Sequence, residues 1–164
     1  MDLADNRFLS DICSIIETGR RQAYAEISRI MTETYWKIGR RIVEEEQKGN
    51  KRAEYGEQLI DSLSDALTLK YGKGFSKRNL AYMRTFYQVV PDLKNLQSRL
   101  QNLTWTHLAK VFRVDDPIAI RWYLTEASRE MWSVRTLDRN ISTQYYERHY
   151  QQPALSNSEQ SLVP

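Results

Sequence analysis

Along this chain the apolar residues recur at three- and four-residue intervals almost from end to end, the signature of amphipathic helices. From residue 10 to about 48, Ile12, Ile15, Ile16, Ala23, Ile27, Ile30, Met31, Ile38 and Ile42 keep one helical rhythm. Arg20, Arg21, Arg29, Lys37, Arg40 and Arg41 lie mostly off that stripe. Unbroken, such a helix is roughly 55 Å long at 1.5 Å per residue. That outspans a small domain, so the helix must pack along several others or against a second copy of itself. Gly19 and Gly39 offer close-packing or bending points, Tyr35-Trp36 a core anchor, and Cys13 reads as a small buried residue on the apolar side. Glu44, Glu45 and Glu46 read as a solvated helix end before a loop.

A second pattern runs from Tyr55 to Pro91. Leu59, Ile60, Leu63, Ala66, Leu67 and Leu69 mark one helix, and Gly72 and Gly74 interrupt it where the chain needs backbone freedom. Ser76 is a candidate N-cap for a helix from Lys77 to Val89 that turns Leu80, Met83, Phe86 and Tyr87 inward and stops at Pro91. Helix, glycine-bearing turn, helix is the outline of a helix-turn-helix, although five residues are a long turn for one. The first turn of the second helix carries Lys77, Arg78 and Asn79, residue types that suit phosphates and base edges in a major groove. The bland alternative is a helical hairpin whose polar first turn is merely solvated.

Beyond Pro91, Leu93, Leu96, Leu100 and Leu103 suggest a short amphipathic helix or helical loop. Thr104 caps a helix holding Trp105, Leu108, Val111 and Phe112, with His107 packed at its start. Asp116-Pro117 opens another with Ile118, Trp122, Tyr123 and Ala127 inward. A last helix runs from Trp132 to about Tyr150. Phe75-Ser76 and Trp132-Ser133 echo one another, each pair followed by an arginine and then a leucine. The echo is either a second helix-turn-helix or a repeated way of docking a helix start, and the capping reading is favoured. Strand-period alternation is missing, so the expected fold is all-α, with a long N-terminal helix and a helix-turn-helix-like or winged-helix-like centre. Residues 1–150 form the domain; residues 151–164, polar and aperiodic, read as a disordered tail or truncated interdomain linker.

Charge sharpens the picture. The 164 residues carry a formal net charge of +3, but residues 70–113 hold nine basic side chains against one acid, Asp92. Such a block favours a polyanion through counterion release from phosphates. No apolar run approaches the ~20 residues of a membrane span, and the N-terminus lacks the pattern of a signal peptide. With Cys13 the only cysteine, the expected setting is cytoplasmic. No phosphate-loop or dinucleotide motif occurs, and His107 and His149, the only histidines, have no cluster of metal ligands. No catalytic constellation emerges, and neither enzymatic activity nor a cofactor is expected.

Several segments taken together carry a resemblance. Tyr35-Trp36-Lys37-Ile38-Gly39-Arg40, Tyr55-Gly56 through Leu63-Ser64, and Gly74-Phe75-Ser76 with Asn79-Leu80 and Met83-Arg84 are the first. Phe86-Tyr87, Trp105-Thr106-His107 and Trp132-Ser133-Val134-Arg135 with Leu137 follow. In these the chain resembles the N-terminal domain of the YhcG-like family of bacterial proteins. The resemblance implies a helical DNA-binding module that precedes a C-terminal PD-(D/E)XK-type nuclease domain. No strand-borne Asp…Glu-x-Lys motif is found before Pro164, so nuclease activity does not carry over; the chain is a fragment or a free-standing module. The DNA-binding candidates are Lys73, Ser76, Lys77, Arg78, Asn79 and Arg84, with Arg78 and Asn79 on base edges and the lysines and Arg84 on phosphates. The alternative is a protein-interaction or dimerisation scaffold in which the long N-terminal helix makes a homo-oligomer that positions a nuclease domain.

Overall fold

The computed structural model describes residues 6–48, 53–92, 94 and 98–150, and among them every regular element is a helix. They are α1 (Asn6–Lys48), α2 (Ala53–Tyr71), α3 (Lys77–Val89), α4 (Trp105–Val111), α5 (Pro117–Arg129), α6 (Val134–Ser142) and α7 (Tyr145–Tyr150). The all-α expectation holds. The described centre has no strand from which a wing could be built, so its winged-helix variant falls away. The residues expected to form a tail or linker, 151–164, lie outside the described set, as do Leu93 and Leu96; Leu100 and Leu103 are buried.

The C-terminal half of α1 lies across α3, and Gly39 is what allows it. A methyl group at Gly39 would overlap the Met83 carbonyl oxygen and stand 2.5 Å from its carbon. With only hydrogen there, the backbones approach closely and the flanking side chains interdigitate. Trp36 buries its ring and donates Nε1–H to the Val90 carbonyl at 2.7 Å, tying α1 to the end of α3. Ile42 joins Ile60, Leu80 and Met83 in a smaller core that also takes Phe75. Trp36, Phe86, Leu108, Val111, Ile120, Tyr123, Leu137 and their neighbours make the larger one, and Trp105 packs against both.

The helix starts follow the local chemistry. Ser76 accepts from the Asn79 amide and Ser133 from the Thr136 amide, both with an extended cap backbone. Each has a half-buried aromatic before it, Phe75 or Trp132, and a fully buried leucine four residues on, Leu80 or Leu137. That is a serine cap with a hydrophobic staple, so the internal echo is a docking device used twice. Asp116 caps α5 at the Ile118 amide, with Pro117 in the first turn.

Four expectations need correction. The last helix is two: Gln144, at φ +54°, breaks it between α6 and α7. Ile118 and Leu69 are exposed, because each sits at an end of its helix beyond the packed face. Cys13 is exposed as well. The reason is larger than one residue: from Asn6 to Ile27 every residue of α1 is exposed, so the first half of the helix forms an arm that meets the body only where Gln22, Tyr24, Ala25 and Glu26 border a cavity shared with Leu100, Leu103 and Met131.

Candidate nucleic-acid interface

The turn between α2 and α3 is held from three directions. Gly72 and Gly74 take φ of +80° and +116°, a left-handed backbone that glycine adopts without a steric penalty. The buried Ser64 hydroxyl donates to the Phe75 carbonyl at 2.9 Å, and Phe75 itself packs into the smaller core. Asn79 closes the turn from the helix side, its Nδ2 donating to the Gly74 carbonyl at 3.1 Å. The start of α3 is therefore a fixed edge.

On that edge Lys73, Ser76, Lys77 and Arg78 are exposed and Asn79 is half-buried. No acidic residue lies in the first turn of α3, so the free amides of its N-terminus keep their positive character. Lys77 reaches across to Asp61 of α2, with Nζ 3.0 Å from Oδ1 and both side chains more than half exposed. Exposed pairs of this kind contribute only about 0.2–1 kcal/mol, so a phosphate can compete for the lysine. The six sequence candidates are not equivalent. Ser76 spends its oxygen on the cap and Asn79 its amide on the turn, which makes both supports of the edge. Arg84, two turns further along α3, binds Glu46 at 2.9 Å in a half-buried pair that ties α3 to the end of α1. Glu46 is thus a strut, and only its neighbours answer to a solvated terminus: Glu44 and Glu45 lie at the surface on Arg40 and Arg41.

The wider basic block is divided among faces. Lys110 and Arg113 share Asp138 at 3.3 and 2.7 Å, a linkage from α4 and the turn after it to α6 that offsets one of their two charges. Lys70 stacks over Tyr71. Arg99 and Arg121 line a cavity of about 310 Å³ beside Val89, Pro91 and Leu124. Lys73, Lys77 and Arg78 are the part of the block that the fold gathers on one edge. Sequence reasoning missed Asp61 as the partner of Lys77 and Glu46 as the partner of Arg84, because both pairs join residues far apart in the chain and nothing in local spacing signals them.

His107, expected to pack at the start of α4, is buried there with both ring nitrogens engaged. Nε2–H donates to the Trp132 carbonyl at 3.0 Å, and Nδ1 accepts from the Thr104 amide at 3.1 Å. Burial pulls its pKa below the usual imidazole value, only partly opposed by the bond to Trp132. It is a neutral bracket between α4 and the start of α6. Among the described residues no group of three His, Cys, Asp or Glu is placed to hold a metal ion. None of the described helices is long and apolar enough to cross a membrane.

The comparisons with known proteins agree with the resemblance. Over 166 aligned residues the chain is 36% identical to "Putative nuclease YhcG" of Escherichia coli (strain K12), an alignment covering 84% of this chain and 44% of that protein. The chain thus spans less than half the length of this relative. No solved structure matches it. The family model described as the DUF1016 N-terminal domain matches residues 11–148, nearly the whole of the helical region described above, and the chain belongs to that family.

Proposed function

We propose that this domain binds nucleic acid, duplex DNA foremost, and presents it to a nuclease domain that lies beyond it in full-length relatives. The observation that supports the reading best is the edge at the start of α3. Lys73, Lys77 and Arg78 are exposed there together, around helix amides with no acidic residue in their own first turn, Asp61 of α2 being the one acid among the described residues that meets them, at Lys77. Phosphate oxygens suit such an end, because backbone N–H groups and cations converge on it. Arg78 is the residue for a base edge, since its fork matches the two acceptors of guanine. Lys73 and Lys77 take phosphates, with Lys77 exchanging Asp61 for the backbone. Asn79 and Ser76 hold the edge rigid, and Arg84, its charge met by Glu46, fixes α3 against α1. The nuclease named in the Escherichia coli relative fits, since a nuclease gains from a module that raises the local concentration of its substrate.

Fluorescence anisotropy with a labelled short duplex, a single strand and an RNA of the same sequence, at two salt concentrations, tests the reading. Lys77→Ala/Arg78→Ala should weaken duplex binding by about tenfold or more, about 1.4 kcal/mol. It should also reduce the slope of log K against log salt by about 0.9, the one phosphate contact assigned to Lys77. Asp61→Ala should bind as well as the parent or better, because it frees Lys77. A double variant that binds like the parent would refute the placement, and stronger binding to RNA or single strands would redirect it.

A further inference from the structure

We infer that the projecting arm of α1 is a dimerisation surface, on which a second copy of this chain packs antiparallel with its crossing point at Ala23. The domain uses one side of α1, burying Thr32, Trp36, Gly39, Ile42 and Val43. Ala23 and Ile30 precede Thr32 and Gly39 by nine positions each, about half a turn round the helix at 3.6 residues per turn. The apolar stripe of the arm therefore points away from the body that the helix supports. It is well exposed, with Phe8 at 64%, Ile15 at 68% and Ile27 at 60%.

The occupant follows from the pattern, the charge and the area. Phe8, Ile12 and Ile16 are followed by Gly19, Ala23 and Ile27, and then by Ile30, Thr34 and Ile38, in steps of four, four and three. That eleven-residue repeat keeps a stripe nearly straight along a helix. It also reads the same in both directions about Ala23, so it is complementary to itself reversed. Ile16 then faces Ile30 of the second copy, Gly19 faces its Ile27, and small residues at the centre let the helices approach. Phe8 reaches the level of Ile38 of the second copy. There the stripe runs into an almost wholly apolar groove of about 660 Å³ between α1 and α2, lined by Ile38, Leu63, Leu67 and Phe75. A parallel pair would leave that groove empty and crowd both bodies at one end.

Charge favours a copy over a polyanion. Residues 6–33 hold four arginines and four acids, so the arm is neutral overall, unlike the start of α3. Arg20 is paired to Glu17, and Arg29 to Glu26 and Glu33, all within the helix. Phe8, Ile12, Ile16, Ile27 and Ile30 each keep between 40% and 64% of their surface exposed, apolar area along one line of the arm for a second copy to cover.

Sedimentation of the chain as it stands should give twice its 19.4 kDa. Ile16→Glu/Ile27→Glu should sediment as a monomer with unchanged helicity, since both residues are exposed and neither supports the body. Orientation is read by disulfide trapping in a Cys13→Ser background, mixing Ile16→Cys with Ile30→Cys. The expected product is the mixed crosslink, because in the antiparallel pair Ile16 lies about 20 Å from its own copy. A parent that stays monomeric at high concentration, a glutamate variant that stays dimeric, or a dominant 16-to-16 crosslink would each overturn the inference.

Discussion

Replacing Gly39 by alanine is the sharpest test of how α1 and α3 are held together. In an isolated helix the change would stabilise by about 1 kcal/mol, because glycine leaves more backbone freedom to lose. Here the added methyl group overlaps the Met83 carbonyl oxygen and comes within 3.2 Å of the Arg84 nitrogen. Both are backbone atoms of α3, so no side chain can swing aside, and the two helices must part by about 1 Å. A gap of that size forfeits a quarter to a half of the dispersion between facing atoms, across the contacts of Trp36, Ile42, Leu80 and Met83. Overpacking usually costs about 1–3 kcal/mol, and a rigid backbone on both sides puts this case at or above the top of the range. The net expectation is a loss of about 2 kcal/mol or more, a fall in Tm of at least roughly 4–8 °C for a chain this long. Circular dichroism at 222 nm during a thermal ramp measures it. Gly19→Ala in the Ile16→Glu/Ile27→Glu background, where no second copy packs on the arm, is the control, since its methyl group would meet nothing within 4 Å in its own chain; it should leave Tm of that background unchanged or slightly raised. A Gly39→Ala protein that melts with the parent would refute the close crossing.

Two further outcomes follow from the same contacts. Ser133→Ala removes the oxygen that accepts from the Thr136 amide and should lower stability by about 1 kcal/mol in urea titration, with Ser133→Asp restoring most of it. His107 predicts a pH dependence: its folded pKa lies below the unfolded value, so the unfolded chain binds the extra proton first. Its contribution is present above the ordinary imidazole pKa, about 6.5, and is lost as pH falls from there towards the folded value. His107→Gln should flatten that part of the curve in urea titrations at several pH values, while an unchanged curve would rule His107 out as its source.

How far the chain could be read in advance depended on the range of the interaction. Caps and staples at Ser76, Ser133 and Asp116 are decided within a turn of helix, and the residues there declare them. Trp36 as an anchor and Phe86 as core followed from periodicity. The same periodicity gave no warning about the arm. A stripe such as Ile12–Ile16–Ile27 states that something apolar must cover it, and cannot say whether the cover belongs to the same fold; Cys13 was misplaced for that reason. Likewise a cation in sequence carries no mark of the acid it will meet. Lys77 with Asp61 and Arg84 with Glu46 join residues from different helices, so only the folded arrangement divides the basic block into struts and a candidate contact edge.

That division also makes the two proposed surfaces physically separable. Binding at the start of α3 would rest on released counterions, and should weaken steeply as salt is raised. Pairing along α1 would rest on apolar area flanked by charges already neutralised within the helix, and salt that excludes itself from protein surfaces, such as sulfate, should leave it intact or strengthen it. A titration that strips the nucleic acid while the sedimenting mass stays doubled would therefore be the expected result. Loss of both together would mean that one surface depends on the other, with the nucleic acid itself bridging two copies.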